Sequence, residues 1–331
     1  MLRLAQGNEL PTRRIEGSLE AEDWRVVHGP VEAGEVPAQE RNWTILVQEM
    51  DKVDAEVASI LDAFRFLPHW ILDDVMISQA APGGSVGPHE DAYDVFLVQV
   101  EGSRRWELSA RENLKTDDRF ELALIANWAA DLIVDTEPGD VLYLPPGIGH
   151  HGVAQTPCQT WSVGLRTPSG PELMFQLAET LLEDPDFSAR LQVDVANPER
   201  PDQIGGALIK QVRQLLSRAL ELDDDQLGPL LASFLTRWRL WPGDEQIELG
   251  VITRQLRASH PVRLAATARL ALLGKDQLYV NGERIDCPRH LALELSRDRC
   301  FSAEWLDHDA ALEVLLELGA IARPRGPSAV S

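Results

Sequence analysis

The stretch GPHEDAYDVF, residues 87–96, places His89 and Asp91 two apart, behind a Gly-Pro turn and at the head of an apolar run. In a strand, residues i and i+2 point to one face. An imidazole and a carboxylate so placed either bond to each other or hold something between them. The neighbouring sequence reads as strands. DVFLVQV (94–100) is followed by the turn EGS and by RRWELS (104–109), a hairpin pattern. DLIVDTEPGDVLYLPPGIGHHGVA (131–154) reads strand, PGD turn, strand, PPG turn, and TWSVGLR (160–166) is one more strand. Upstream lie TILVQEM, DDVMIS (73–78) and the turn-rich APGGSVGP (81–88). An amphipathic helix, VDAEVASILDAFRF (53–66), is expected to stop before Pro68. Many short strands with Gly/Pro turns predict a β-sandwich or barrel up to about residue 170.

Beyond 170 the period changes from two to 3.6. Leu173, Met174, Leu177, Leu181 and Leu182 form one helical stripe, and Leu208, Ile209, Val212, Leu215, Leu216 and Leu220 a second. Leu227, Leu230, Leu231, Phe234, Leu235 and Trp238 form a third. Such stripes must be buried, either on the barrel or against a second copy, and a dimer is the reading preferred here. From about 245 a small α+β unit follows, with an Asn281-Gly282 hairpin between LYV and ERID and helical patterns around LALELS and AALEVLLELGAIA, an arrangement resembling a winged helix. The tail RPRGPSAVS is expected to fray.

The formal charge of −22 is unevenly distributed. Residues 246–331 carry 11 basic and 11 acidic side chains, so the whole imbalance lies in 1–245. A field of that sign repels nucleic acid and attracts basic partners. There is no apolar run long enough to span a membrane, and the N-terminal stretch lacks the apolar segment of a signal peptide. Cys158, Cys287 and Cys300 are scattered without a CxxC, which argues for a reducing cytoplasm and against a thiolate zinc site.

Taken singly, Asp91 reads as a turn residue and His150 as a loop histidine. H-x-D followed by GD-x-x-x-x-PPG-x-x-H is far more specific. His89, Asp91 and His150 together make two imidazoles and a carboxylate, the facial triad of non-haem iron(II), which leaves coordination positions open. His151 competes for the third place, but a continuing strand would point it away. An open iron site needs a co-substrate to activate O2. 2-Oxoglutarate would chelate the metal and require a cation for its distal carboxylate, and Arg104 and Arg105 open the strand expected to pair with the H-x-D strand.

GGSVGPHEDAYDVFLVQVEGSRRWELS, GDVLYLPPGIGHHG and YVNGERIDCP resemble the bacterial JmjC-type ribosomal oxygenases, above all the arginine hydroxylases of large-subunit ribosomal protein sixteen. The likeness spans nearly the whole chain. It implies a mainly β fold with α: a double-stranded β-helix (cupin/JmjC jelly roll) over 1–170, a helical dimerisation module over 171–244 and a winged-helix-like α+β domain over 245–331. It implies a cytoplasmic, homodimeric Fe(II)- and 2-oxoglutarate-dependent dioxygenase of the ribosomal protein arginine 3-hydroxylase type, with a basic ribosomal protein of the large (50S) subunit as substrate and no direct contact with nucleic acid or membrane.

By motif, His89, Asp91 and His150 would bind iron. Arg104, assisted by Ser78, would hold 2-oxoglutarate; Asp74, Tyr93 and Ser162 would receive the substrate arginine. The chain departs from the family pattern after the third ligand, where His151 replaces a glutamate. Two rivals share parts of the site. A histidine hydroxylase of another ribosomal protein would have less use for Asp74, and a non-oxygenase cupin metal-binding protein would not depend on Arg104.

Overall fold

The computed structural model describes residues 10–31, 41–112, 114–182, 185–187, 190–192, 205–237 and 247–323. Its contacts separate the chain into two units, Met1–Thr167 and Pro168–Ser331.

The first unit is built from antiparallel strands: β1 (Thr12–Ser18), β2 (Asp23–His28), β3 (Trp43–Val47), β4 (Leu72–Ala80), β5 (Asp94–Glu101), β6 (Arg104–Ser109), β7 (Leu132–Thr136), β8 (Val141–Leu144), β9 (Gly149–Ala154) and β10 (Cys158–Leu165). Seven form one sheet in the order β2-β1-β3-β4-β10-β5-β8, and three form a second in the order β7-β6-β9. Val95 and Leu97 of β5 and Leu144 of β8 pack on Trp106 of β6, so the inner faces of the two sheets share a core. This is the jelly-roll arrangement expected from the short strands and turns.

Two details correct the local reading. β5 and β6 do not form a hairpin, since β5 pairs with β10 and β8 while β6 pairs with β7 and β9. The turn at Gly102, with φ of 61°, carries the chain across to the other sheet. It is held there by Thr156, whose hydroxyl accepts from the Ser103 N–H at 2.9 Å, and by Gln155, whose N–H donates to the Ser103 carbonyl at 2.9 Å. The expected helix over 53–66 is also broken. Helix α1 (Met50–Val53) ends where Asp54 is extended (φ −120°, ψ 117°) and caps α2 (Ala55–Ser59), its carboxylate accepting from the N–H groups of Glu56 and Val57. A 3-10 segment, Ile60–Phe64, completes the stretch.

The second unit begins with α3 (Gly170–Leu181), started by a Ser169/Glu172 capping box with proline in the first turn. α4 (Gly206–Leu220) and α5 (Asp224–Thr236) follow, and Trp238 lies outside the described residues. Then come α6 (Leu249–Arg257), β11 (Val262–Arg263), the meander β12 (Leu270–Leu273), β13 (Gln277–Val280) and β14 (Glu283–Ile285), α7 (Arg289–Asp298), β15 (Cys300–Phe301) and α8 (Asp309–Glu317). The Asn281-Gly282 turn has positive φ at both residues, 49° and 93°, as a two-residue hairpin requires. Ile252, Leu278, Leu291, Leu295, Trp305 and Leu312 centre the core of this part. α5 is bonded to the hairpin through the Ser233 hydroxyl, which donates to the Gly282 carbonyl at 2.6 Å. The stripes of α3 and α4 remain outside. No residue of α4 is buried, and Met174, Phe175, Leu216 and Leu220 are exposed. Of the tail, residues 324–331 lie outside the described residues, and among those described no helix is long and apolar enough to cross a membrane.

Candidate active site

The H-x-D segment lies just before β5 rather than within a strand, and a pairing with β9 places it. His89 N–H donates to the His150 carbonyl at 3.0 Å, and His150 N–H returns the bond to His89 at 2.8 Å. Gly147 N–H, in the PPG turn, donates to the Asp91 carbonyl at 2.9 Å. The sharp entry needs Gly87, whose φ is 82° and where a Cβ would lie 2.3 Å from a Leu124 methyl. The two motifs are thereby stitched together through their backbones.

The side chains then converge. The His89 and His150 rings lie with centroids 4.2 Å apart, and His150 Nε2 is 3.7 Å from Asp91 Oδ2. One donor atom from each of His89, Asp91 and His150 falls within 4.8 Å of the others. Each imidazole donates Nδ1–H to a carbonyl two residues back, His89 to Gly87 at 2.9 Å and His150 to Ile148 at 3.0 Å. That fixes the tautomer and leaves both Nε2 lone pairs for an ion. Burial, then the neighbouring His89, pushes His150 down to about 3, so its ring is neutral at physiological pH. Burial pushes the Asp91 carboxyl up, against the pull of His89 and of the Tyr93 hydroxyl bonded to it. A dication supplies the charge that this half-buried carboxylate lacks, and the donor set fits a facial two-histidine, one-carboxylate iron site.

His151, the competitor, faces the other way. Its Nδ1 meets Glu107 Oε2 at 3.2 Å, and the Trp128 indole donates to the same oxygen at 2.8 Å. The pleat of β9 makes this division between adjacent histidines.

The pleat of β6 divides the two arginines in the same way. Arg105 is outside, in a two-point bond with Asp135 at 2.8 and 3.0 Å. Arg104 is buried, its Nη2 directed at the Cys158 sulfur at 3.6 Å and its Nε without a hydrogen-bond partner. Among the described residues no carboxylate pairs with it. A buried guanidinium without a counter-ion is costly by several kcal/mol, and an anionic ligand fits that vacancy in charge. Arg104 stands on the strand paired with β9, two inward positions along from His150, rather than beside β5.

Ser78 is buried on β4 opposite Thr160, to whose carbonyl its hydroxyl donates at 3.2 Å. Thr160 donates to Gln99 Oε1 at 2.9 Å, and the single Thr136 hydroxyl proton is shared between the Arg104 carbonyl at 3.1 Å and Gln99 Oε1 at 3.3 Å. Gln99, Thr136, Thr160 and Cys158 were not singled out from sequence. The available signal was Gln99 as the polar member of the inward set Val95, Leu97, Gln99.

Ser162 is buried opposite Met76, and Asp74 Oδ1 lies 3.5 Å from where a Cβ on Gly164 would stand, so the rows Asp74-Met76-Ser78 and Gly164-Ser162-Thr160 run side by side. Asp74 accepts from the Glu49 N–H at 2.9 Å, and burial pushes it up to about 6. Tyr93 is exposed. Burial and the nearby Asp91 and Asp74 carboxylates push its hydroxyl up to about 12. Glu49, also missed, is raised to about 7 by burial and holds one oxygen without a partner.

The JmjC domain family matches residues 59–173, the segment that carries all three converging side chains and Arg104. Over 301 residues the chain is 31% identical to the Escherichia coli ribosomal protein uL16 3-hydroxylase, spanning 88% of this chain and 78% of that one. The chain belongs to the JmjC-type ribosomal oxygenases. A probable ribosomal oxygenase of Haemophilus influenzae is 31% identical over 303 residues, covering 86% and 74% of the two chains. Among solved structures, the Escherichia coli ribosomal oxygenase YcfD in complex with cobalt and 2-oxoglutarate superposes with a TM-score of 0.80 at 29% identity, over 97% of this chain and 88% of that one. Within this ribosomal oxygenase Arg104 and His150 lie on the same face of the paired strands β6 and β9.

Proposed function

We propose that the chain is an Fe(II)- and 2-oxoglutarate-dependent protein hydroxylase acting on an arginine side chain of a large-subunit ribosomal protein, uL16 (protein sixteen) being the first candidate. The carrying observation is the pairing, across one slot, of the His89/Asp91/His150 donors with the buried, counter-ion-free Arg104. Iron(II), 2-oxoglutarate and O2 together supply an oxidant that inserts one oxygen atom into a C–H bond, leaving succinate and CO2. Each protein group then has a task.

His89, Asp91 and His150 would hold the iron, which would supply the oxidising chemistry. Arg104 binds the distal carboxylate of the oxoacid, with Ser78 nearby. Asp74 receives the substrate guanidinium, Ser162 adds a hydroxyl, and Tyr93 lines the arginine stem. A carboxylate at that depth favours arginine over histidine, since a guanidinium brings a permanent charge. The protein's contribution is to orient these groups and to exclude water, while the metal carries the difficult step.

The acidity of residues 1–245 suits capture of a basic ribosomal protein, and a cytoplasmic location follows from such a substrate. Helices within 171–244 are assigned to homodimerisation and 245–331 to a winged-helix-like domain. The test is mass spectrometry of large-subunit ribosomal proteins from cells with and without the chain. A gain of one oxygen on an arginine, dependent on the chain, is expected; identical arginine peptides in both would overturn the assignment.

A further inference from the structure

Trp106 packs on Val95, Leu97 and Leu144 in the core, and it also stands between His150 and Arg104 on one face of the paired strands β6 and β9. Along the paired strands β6 and β9 the inward residues stand in three facing couples: Leu108 with His150, Trp106 with Gly152, and Arg104 with Ala154. Trp106 thus lies between the metal end and the cation end. Its ring centroid is 6.1 Å from that of His150 and 5.5 Å from Arg104 Cζ. The ring rests directly on Gly152, where a Cβ would approach three indole carbons to 2.5–2.9 Å. The glycine is therefore required by the ring, because any side chain there would lift the indole from its seat.

Trp106 is only 5% exposed, and its Nε1–H is buried with no hydrogen-bond partner. Buried indole N–H groups nearly always find an acceptor, since leaving one unpaired costs about 1–3 kcal/mol. The Nε of Arg104, on the same face of the same strand, is unpartnered too. Two buried donors without partners, on one face of one strand, are both satisfied by a single ligand with acceptors to spare.

We propose that Trp106 is a binding residue for the oxoacid co-substrate: seated on Gly152, it forms the wall between the metal ligands and Arg104, and its Nε1–H donates to the bound dicarboxylate. This rests on the 2-oxoglutarate reading of the site. It assigns the sequence RRW two inward donors, a guanidinium and an indole, separated by the outward Arg105.

The test uses the Zn(II)-loaded full-length protein, which is diamagnetic and does not turn over. Titration with 2-oxoglutarate is followed by calorimetry and by the indole 15N–1H resonances of the nine tryptophans. The Trp106 resonance is assigned by its loss in Trp106→Phe or, should that variant not fold, in Trp106→Tyr. The expected result is a downfield shift of the Trp106 indole proton and slower exchange with solvent on binding. Trp106→Phe should bind the oxoacid about tenfold more weakly with unchanged Zn(II) affinity, the loss expected for one hydrogen bond to a charged acceptor. Gly152→Ala should weaken it at least as much by displacing the ring. If the wild type binds 2-oxoglutarate while its indole resonance stays put, or Trp106→Phe binds equally well, the role of Trp106 falls and the oxoacid reading stands. If the wild type does not bind 2-oxoglutarate at all, both fall.

Discussion

In the β unit the groups around the metal donors that violate the usual inside–outside rule are polar and buried. In α3 and α4 they are apolar and exposed. His150, Arg104, Ser78, Thr136, Thr160 and Gln99 sit within the jelly roll, and only some of them satisfy one another. Met174, Phe175, Ile209, Leu216 and Leu220 are exposed on these helices. Each violation marks a missing partner, and its chemistry says which kind. Buried donors and lone pairs call for an ion and an anion, since unpaired buried polarity is costly. Exposed leucines in helical register call for another apolar surface, a role assigned above to a second copy of the same stripe.

This contrast is most sharply tested at its polar end. Arg104→Ala should weaken 2-oxoglutarate binding about 100-fold, the upper range for a charge-assisted pair, while metal binding is retained. Calorimetry on the metal-loaded protein reads both quantities, and an unchanged oxoacid affinity would mean that the buried arginine serves only the fold.

At the apolar end, Leu216→Glu with Ile209→Glu should convert a dimer to a monomer, with the mass by light scattering halved. The β unit's affinity for metal should stay as it was. A wild type already monomeric at micromolar concentration would leave the stripes without their proposed partner.

A smaller effect should come from Asp74. Its carboxyl is raised to about 6 by burial first, helped by the neighbouring Asp73 and Asp51 carboxylates and opposed by the Glu49 N–H and by Lys52. Only the ionised form pairs with a guanidinium, so substrate binding should strengthen as pH rises through 6. Between pH 5 and pH 7 the substrate KM should fall about tenfold, the change in ionised fraction for such a pKa. Asp74→Asn should hold a high KM that no longer follows this step, and a wild-type KM that rises over the same interval would reverse the sign.

How much of this was legible beforehand differs by residue. The metal triad could be read because two short motifs name its donors. The route of convergence could not, since His89 is brought to His150 by a backbone pairing between residues 61 apart in the chain, not by strand alternation within H-x-D. Arg104 and Arg105 were equivalent in the sequence until the pleat sent one in and one out. β5 and β6 look like a hairpin because only Gly102 and Ser103 separate them, yet in a jelly roll such a turn changes sheets. Gln99, Thr136 and Thr160 come from three different strands, and no local pattern brings them together. The helix over 53–66 had the right stripe, but Asp54 satisfies the N–H groups of Glu56 and Val57 and restarts it.

The central claim is that one iron ion is shared by His89, Asp91 and His150 with the oxoacid stretched towards Arg104. Crystals grown with Fe(II) and 2-oxoglutarate under nitrogen, measured at the iron absorption edge, test it directly. A single anomalous peak within bonding distance of all three side chains, with the distal carboxylate on Arg104, is the predicted result. An iron peak elsewhere, or one that persists in Asp91→Ala with the same occupancy, would contradict it.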